Sequence, residues 1–233
     1  MEIISKDNPR VKELSKLNIH KYREEEKMFL VEGKHLVTEA KNAGVLIEAF
    51  STTKKEGYTL LSIPVMNKIC NTSTTVSEIG LCKYIEKKEL KDKILILDRI
   101  QDPGNLGSLL RSAYAFGFET VILGNGSCDI YNDKVIRSSQ GAIFKLNFIN
   151  ANLIEFIPTL KDYIVYGTNV RKGISVNDCI KNKKIALVLG NEGSGISEDI
   201  DNLIKDNIYI PLNNTESLNV CVAGSILMYE LSK

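Results

Sequence analysis

Residues 94–123, ILILDRIQDPGNLGSLLRSAYAFGFETVIL, constrain the fold more than any other stretch. Residues 94–97 are a short, β-branched-rich apolar run closed by Asp98, the pattern of a strand buried on both faces. Residues 99–105 carry Asp102, Pro103, Gly104 and Asn105, which are turn-forming types. Leu106, Leu109, Leu110, Ala113 and Phe116 then recur at helical spacing. Asn105 stands where an N-cap belongs and Gly117 where a C′ glycine belongs. Residues 120–123 read as a second buried strand. A strand–loop–helix–strand unit crosses over right-handed into a parallel sheet. Ligands of such sheets bind beyond the carboxyl ends of the strands, so the loop and first turns of this helix are the place to look for chemistry.

The alternation continues to the end of the chain. Strands are expected at 94–98, 120–123, 144–149, 163–168, 185–190 and 207–210, and helices at 106–116, 132–139, 151–160, 197–204 and 217–231, which makes an α/β domain with a parallel sheet. Upstream, Asn8-Pro9 marks a helix start. Strands at 28–31 and 45–50, with helices at 32–42 and 64–69, make a smaller α/β unit, and Val76 begins a further strand. The charged run EKKELKDK at 86–93 lacks apolar periodicity and sets a boundary near residue 90, giving domains 1–90 and 91–233.

Net charge is +1, so any contact with nucleic acid has to be local. Lys6, Arg10 and Lys12 belong to a basic scatter around the first helix, which fits either a solvated face or a phosphate-binding one. The five cysteines are scattered without a CxxC pair, and His20 and His35 are the two histidines, so no metal is expected. The first ten residues hold no apolar signal core. The longest uncharged run near the C-terminus, 217–229, is 13 residues, short of the roughly 18 that span a bilayer. These features are those of a cytoplasmic protein with reduced thiols and no membrane partner.

Three stretches can carry chemistry. The first is Asn105-x-Gly107-x-x-x-Arg111, where a helix N-terminus and an arginine leaning back over it make a mouth suited to phosphate. The second, residues 187–195, is an apolar strand opening into a glycine-rich turn with Glu192 at its centre. It matches neither a dinucleotide fingerprint nor a P-loop, which argues against a conventional nicotinamide enzyme. The third, residues 208–220, runs IYIPLNNTESLNV into the terminal helix, with Ser217 at the cap position. Alone, each also fits a capped helix or an ordinary turn.

In order and spacing the three stretches together resemble the motifs of the SpoU (TrmH) family of SPOUT RNA methyltransferases: NxGxxxR, then GxEGxG after an apolar strand, then IP…SLNV. The resemblance covers residues 94–231. NPRVKEL and FLVEGKHLV upstream look like the substrate-binding domain of the ribosomal-RNA members. It implies a C-terminal parallel-sheet SPOUT domain with a trefoil knot, plus a small N-terminal α/β, L30e-like, RNA-binding domain. It also implies methyl transfer from S-adenosylmethionine to a ribose 2′-OH of RNA, with 23S rRNA ahead of tRNA as substrate, and a homodimer through the terminal helix. A non-enzymatic RNA-binding protein that keeps the fold is the rival. By motif position, Asn105, Arg111, Glu192, Ser217 and Asn219 correspond to active-site residues, and Thr168, Asn169, Leu189, Gly190, Ile210, Leu212 and Leu218 to the cofactor site. Within the basic scatter of the N-terminal domain, Lys6, Arg10 and Lys12 are the candidate RNA contacts. A guanidinium stays protonated, so Arg111 is expected to orient the hydroxyl and stabilise negative charge, with Glu192 and Asn219 holding it.

Overall fold

The computed structural model describes residues 2–72, 76–86, 89–170, 172–181 and 184–233. They form two compact units, one made of 1–85 with 129–144 and the other of 86–128 with 145–233.

The first unit is built on a five-stranded sheet of β1 (Glu2–Ile3), β2 (Met28–Glu32), β3 (Leu46–Ser51), β4 (Thr59–Leu61) and β5 (Glu78–Lys83), in the order β1-β4-β3-β5-β2. Its helices are α1 (Pro9–Lys16), α2 (His20–Glu26), α3 (Lys34–Asn42) and α4 (Ile63–Ile69). Asn8 caps α1 by accepting from the Arg10 N–H at 2.8 Å, and Pro9 occupies the first turn, where its missing N–H costs nothing. Val11 and Leu14 of α1 are buried with Phe50, Met66, Ile79 and Leu81.

The second unit carries β6 (Lys93–Leu97), α5 (Pro103–Ala115) and β7 (Thr120–Gly124). The chain next forms α6 (Asp133–Ser139), which belongs to the first unit, and then returns. It continues through β8 (Asn147–Ala151), α7 (Leu153–Phe156), β9 (Ile164–Thr168), β10 (Ile174–Ser175), β11 (Ile185–Leu189), α8 (Glu198–Asp201), β12 (Asp206–Tyr209) and α9 (Val220–Ser232). The sheet order is β10-β12-β9-β11-β6-β7-β8, and each neighbouring pair is parallel. Ile94 and Ile96 of β6 pack with Leu153, Ile157, Ala186, Val188 and Ile200 on one side. On the other, α5 packs against α9. Gly224 makes that packing possible, since a Cβ there would come within 2.6 Å of Leu189 Cδ1 and 2.7 Å of Leu109 Cδ2.

The expected run of strands and helices is present from β6 onward, with shifted ends. The strand expected at 144–149 is β8, and it starts at Asn147 because residues 142–144 form a 3₁₀ turn within the first unit. The boundary expected near residue 90 treated the chain as two consecutive domains. The structure instead returns residues 129–144 to the first unit, because Tyr131 and Phe144 close over Phe29 of β2 at ring-centroid distances of 4.6 and 6.4 Å. Among the described residues, no helix is long and apolar enough to cross a membrane, and no cluster of His, Cys, Asp and Glu could hold a metal ion.

Candidate active site

The loops that follow β6, β9, β11 and β12 meet at the carboxyl edge of the parallel sheet, where ligands of such sheets bind. Three of them, with the start of α9, enclose a cavity of about 280 Å³. Thr168, Asn169, Leu189, Gly190, Ile210, Leu212 and Leu218 all line it, as do Glu192 and Ser217. Asn191, Val220, Ala223 and Leu227 also line it, although in the sequence they read as ordinary turn and helix-core residues. Ligand pockets usually measure about 300–1,000 Å³, so this one is of a size for a small ligand. The lining chemistry fits S-adenosylmethionine. Leu189, Ile210, Leu218 and Leu227 offer apolar walls for an adenine, while Thr168, Asn169, Asn191 and Glu192 offer polar groups for the ribose and the charged sulfonium-bearing chain.

Gly190 makes the turn after β11 possible. A Cβ there would run into the backbone of Gly195 and the Ile196 nitrogen. The Gly190→Ala variant is therefore expected to force the turn open, at a cost of about 3 kcal/mol in stability, and to abolish cofactor binding. Thermal unfolding and a titration with S-adenosylmethionine check both.

Glu192 ties this turn to the loop before α5. Its Oε1 accepts from the Asp102 N–H at 3.1 Å and from Asn105 Nδ2 at 3.2 Å, and its Oε2 accepts from the Gln101 N–H at 3.3 Å and from Asn191 Nδ2 at 3.4 Å. Burial alone would raise the pKa of this carboxyl. The backbone N–H groups of Glu192 itself and of Asp102, the Asn105 amide and the Gln101 N–H outweigh it and hold the group below the usual carboxylate range. A carboxylate offers about four lone-pair sites, and these donors saturate them. Glu192 is therefore a fastener of loops and a poor base. Asn105 Oδ1 in turn accepts from Asn219 Nδ2 at 3.1 Å, so Asn105, Glu192 and Asn219 form one hydrogen-bonded chain across all three motifs.

Arg111 stands apart from this chain. It is exposed, and no hydrogen bond or ion pair joins it to Glu192, Asn219 or any other described residue. The expectation that Glu192 and Asn219 hold it is corrected by the helix start. Asp102, not Asn105, caps α5, accepting from the Asn105 N–H at 2.8 Å, with Pro103 in the first turn. The helix thus begins three residues earlier than expected, and Arg111 sits about 12 Å along its axis at 1.5 Å per residue. The cap of α9 also moves: Asn219 caps it, accepting from the Cys221 and Val222 N–H groups at 2.9 and 3.4 Å, while Ser217 lies before the helix on the cavity wall.

The small residues of 223–225 face inward. Gly224 meets Leu109 and Leu189, Ala223 lines the cavity, and Ser225 Oγ lies 2.7 Å from Ser112 Oγ of α5. The outward face of α9 carries Val222, Ile226 and Tyr229, 46%, 36% and 48% exposed, with Tyr114 of α5 49% exposed.

In the first unit, Arg10 is committed to carboxylates, donating to Glu48 at 2.7 Å and Glu13 at 3.1 Å. Lys12 lies 3.8 Å from Asp7, with both side chains exposed. Lys6 is exposed and its carbonyl accepts from Lys68 Nζ at 2.9 Å.

Comparison with known proteins agrees with this geometry. Residues 92–229 match the model of the SpoU rRNA Methylase family, and residues 8–80 match an MRM3-like substrate binding domain. The 23S rRNA (guanosine(2553)-2′-O)-methyltransferase RlmP of Bacillus subtilis is 36% identical, across 99% of this chain and 98% of its own. An uncharacterized tRNA/rRNA methyltransferase of Borreliella burgdorferi is also 36% identical, across 82% of this chain and 85% of its own. The AdoMet-bound rRNA methyltransferase of Sinorhizobium meliloti superposes with a TM-score of 0.88 at 25% identity, covering 99% of this chain and 97% of that one. The cavity walled by the loops after β9, β11 and β12, the hydrogen bonds that join it to the first motif, and the match along both units lead to one conclusion: the chain belongs to the SpoU rRNA methylase family.

Proposed function

We propose that this chain transfers a methyl group from S-adenosylmethionine to a ribose 2′-OH of 23S rRNA. The observation that carries the reading is the junction at Glu192, which lines the cavity and also fastens the loop holding Asn105, itself bonded to Asn219. When bound, the cofactor supplies an electrophilic sulfonium methyl. The cavity residues Thr168, Asn169, Leu189, Gly190, Ile210, Leu212 and Leu218 hold it, and Ser217 faces it from the wall. Asn105 and Asn219 present amides at the rim for the RNA backbone. Arg111, uncommitted in the protein, meets the incoming ribose and phosphate, orients the hydroxyl and offsets its developing negative charge. Aligning that hydroxyl with the methyl group supplies much of the acceleration.

Several features of the family complete the reading. Supporting a trefoil knot, residues 210–220 share one cavity with the loops after β9 and β11, strands that lie side by side in the sheet. The chain works in the cytoplasm as a homodimer, with Val222, Ile226 and Tyr229 of α9 as the apolar contact. The first unit, 1–90 by sequence, binds RNA through Lys6, Arg10 and Lys12. Arg10 acts there mainly by fixing α1, since Glu13 and Glu48 already engage its guanidinium. The Lys6→Glu, Lys12→Glu double variant is expected to weaken rRNA binding about tenfold near physiological salt and to flatten its salt dependence, with cofactor affinity unchanged. Unaltered RNA affinity would retire those contacts.

The deciding experiment offers purified chain, labelled S-adenosylmethionine and rRNA or tRNA from cells lacking the gene. The expected result is label in 23S rRNA at one ribose, read first at the guanosine that the Bacillus relative's name specifies. Label in tRNA would reassign the substrate. RNA binding without transfer would leave a binding protein.

A further inference from the structure

Directly after β6, Arg99 sits at φ 58°, in the left-handed region that non-glycine residues rarely occupy. Backbone strain of this kind persists where the surroundings over-determine it, and it clusters at functional sites. Its surroundings here are specific. The Arg99 carbonyl accepts from Asn191 Nδ2 at 2.9 Å. The guanidinium turns back on its own neighbour, with Nε 3.0 Å from Asp98 Oδ1 and Nη2 3.2 Å from Oδ2. The same Nη2 donates to the Gly195 carbonyl at 3.2 Å. Asp98, 4% exposed, also accepts from the Ser197 N–H at 2.7 Å. Burial works against its charge, but Arg99 and Ser197 outweigh that and keep it ionised.

We propose that Asp98 and Arg99 form a clamp that holds the 190–197 turn in its cofactor-binding shape, with Arg99 as a positioning residue that trades backbone strain for that grip. The inference rests on the S-adenosylmethionine reading of the cavity. Glu192 and the Asn191 Oδ1 bonds to the Gly193 and Ser194 N–H groups hold the first half of the turn, and the clamp holds its second half at Gly195 and Ser197. Gly190, Asn191, Glu192, Gly193 and Gly195 all line the cavity, three of them glycines. Between β11 and α8 the backbone pairing is a single bridge from Asn191 to Gly195. Without the clamp this glycine-rich segment samples more conformations, and a ligand has to order it on binding. That cost falls on cofactor affinity. Once the cofactor is seated the turn is ordered again, so the chemical step is spared.

Arg99→Gly tests this cleanly, because it removes the guanidinium and relieves the strain together. Losing the guanidinium leaves the buried Asp98 carboxylate without its charge partner, so Tm should fall. At temperatures below that transition the expected results are a Kd for S-adenosylmethionine about tenfold weaker and a KM raised by the same factor with kcat within about twofold. In the ligand-free protein, amide hydrogen exchange at residues 193–197 should quicken. Asp98→Asn should show the same exchange change, and Arg99→Lys an intermediate loss of affinity, since a lysine cannot span the carboxylate and the Gly195 carbonyl with a planar fork. A merely structural role predicts the lower Tm alone, with unchanged affinity and exchange in the folded protein. Parental affinity and exchange in Arg99→Gly would overturn the clamp. If the parent itself ignores S-adenosylmethionine, the cofactor reading fails, and the exchange measurement on ligand-free protein still decides whether the clamp exists.

Discussion

Arg111→Ala is expected to lower kcat for methyl transfer by roughly two to three orders of magnitude, the range seen when one preorganised charge-stabilising donor is removed. Folding should be untouched. Arg111 is exposed, no described residue bonds to it, and surface substitutions away from specific contacts change stability by about 0.5 kcal/mol or less. This combination of large kinetic and negligible thermodynamic effect distinguishes Arg111 from Glu192, whose four accepted hydrogen bonds hold two loops together. Glu192→Ala should therefore lose stability and cofactor affinity along with rate. Arg111→Lys refines the test. It keeps the positive charge but lacks the planar fork that can grip a phosphate and a hydroxyl at once. Full activity in Arg111→Lys would show that charge alone suffices. Activity as low as in Arg111→Ala would show that the fork is the working part. Unfolding curves superimposable on the parent's are required for either conclusion.

The parts of the molecule that local pattern could reach were reached. β6, β7 and β11 announce themselves as apolar runs, and Gly117, at φ 76°, ends α5 where a left-handed residue is needed. The α5 start is ambiguous in the sequence, because Asp102-Pro103-Gly104-Asn105 fits a turn while Asp followed by Pro is also a cap followed by a first-turn proline, as the structure has it. α2 is illegible in the sequence for a different reason. Its one buried side chain is Arg23, so the helix shows no apolar stripe. That residues 168–169, 189–190, 210, 212 and 218 share one cavity is legible through the resemblance, because motif spacing along the chain carries over to the loops that wall it. The partners within the site were not legible. Glu192 bonds to residues about ninety positions upstream, and nothing in a local window says which loop a carboxylate will fasten. Arg99 gives no signal either, since arginine is not a residue type that marks a left-handed position.

Asp129→Ala is expected to cost about 3–5 kcal/mol in the stability of the first unit, the penalty for leaving a buried guanidinium without its carboxylate. Arg23 is 5% exposed. Its Nε and Nη2 donate to Asp129 Oδ2 at 3.0 and 2.7 Å, and its Nη1 donates to the Leu17 carbonyl at 2.8 Å. Asp129 Oδ1 accepts from the Tyr131 N–H at 2.9 Å, which aims the Tyr131 ring at Tyr84, 3.9 Å away between centroids. Removing the carboxylate thus strands the charge and loosens the aromatic cover over Phe29. Replacing the pair together, Arg23→Met with Asp129→Leu, should recover much of the loss, because the cost lies in the unpaired charge rather than in the missing ion pair. The same reasoning predicts the behaviour of fragments. A piece ending at residue 90 lacks Asp129, Tyr131 and Phe144, so it should show no cooperative unfolding transition in urea. Joining residues 129–144 to residue 85 through a flexible linker should restore one. A sharp transition in the 1–90 piece alone would mean that the small sheet and its four helices suffice, and that the returning segment merely decorates them.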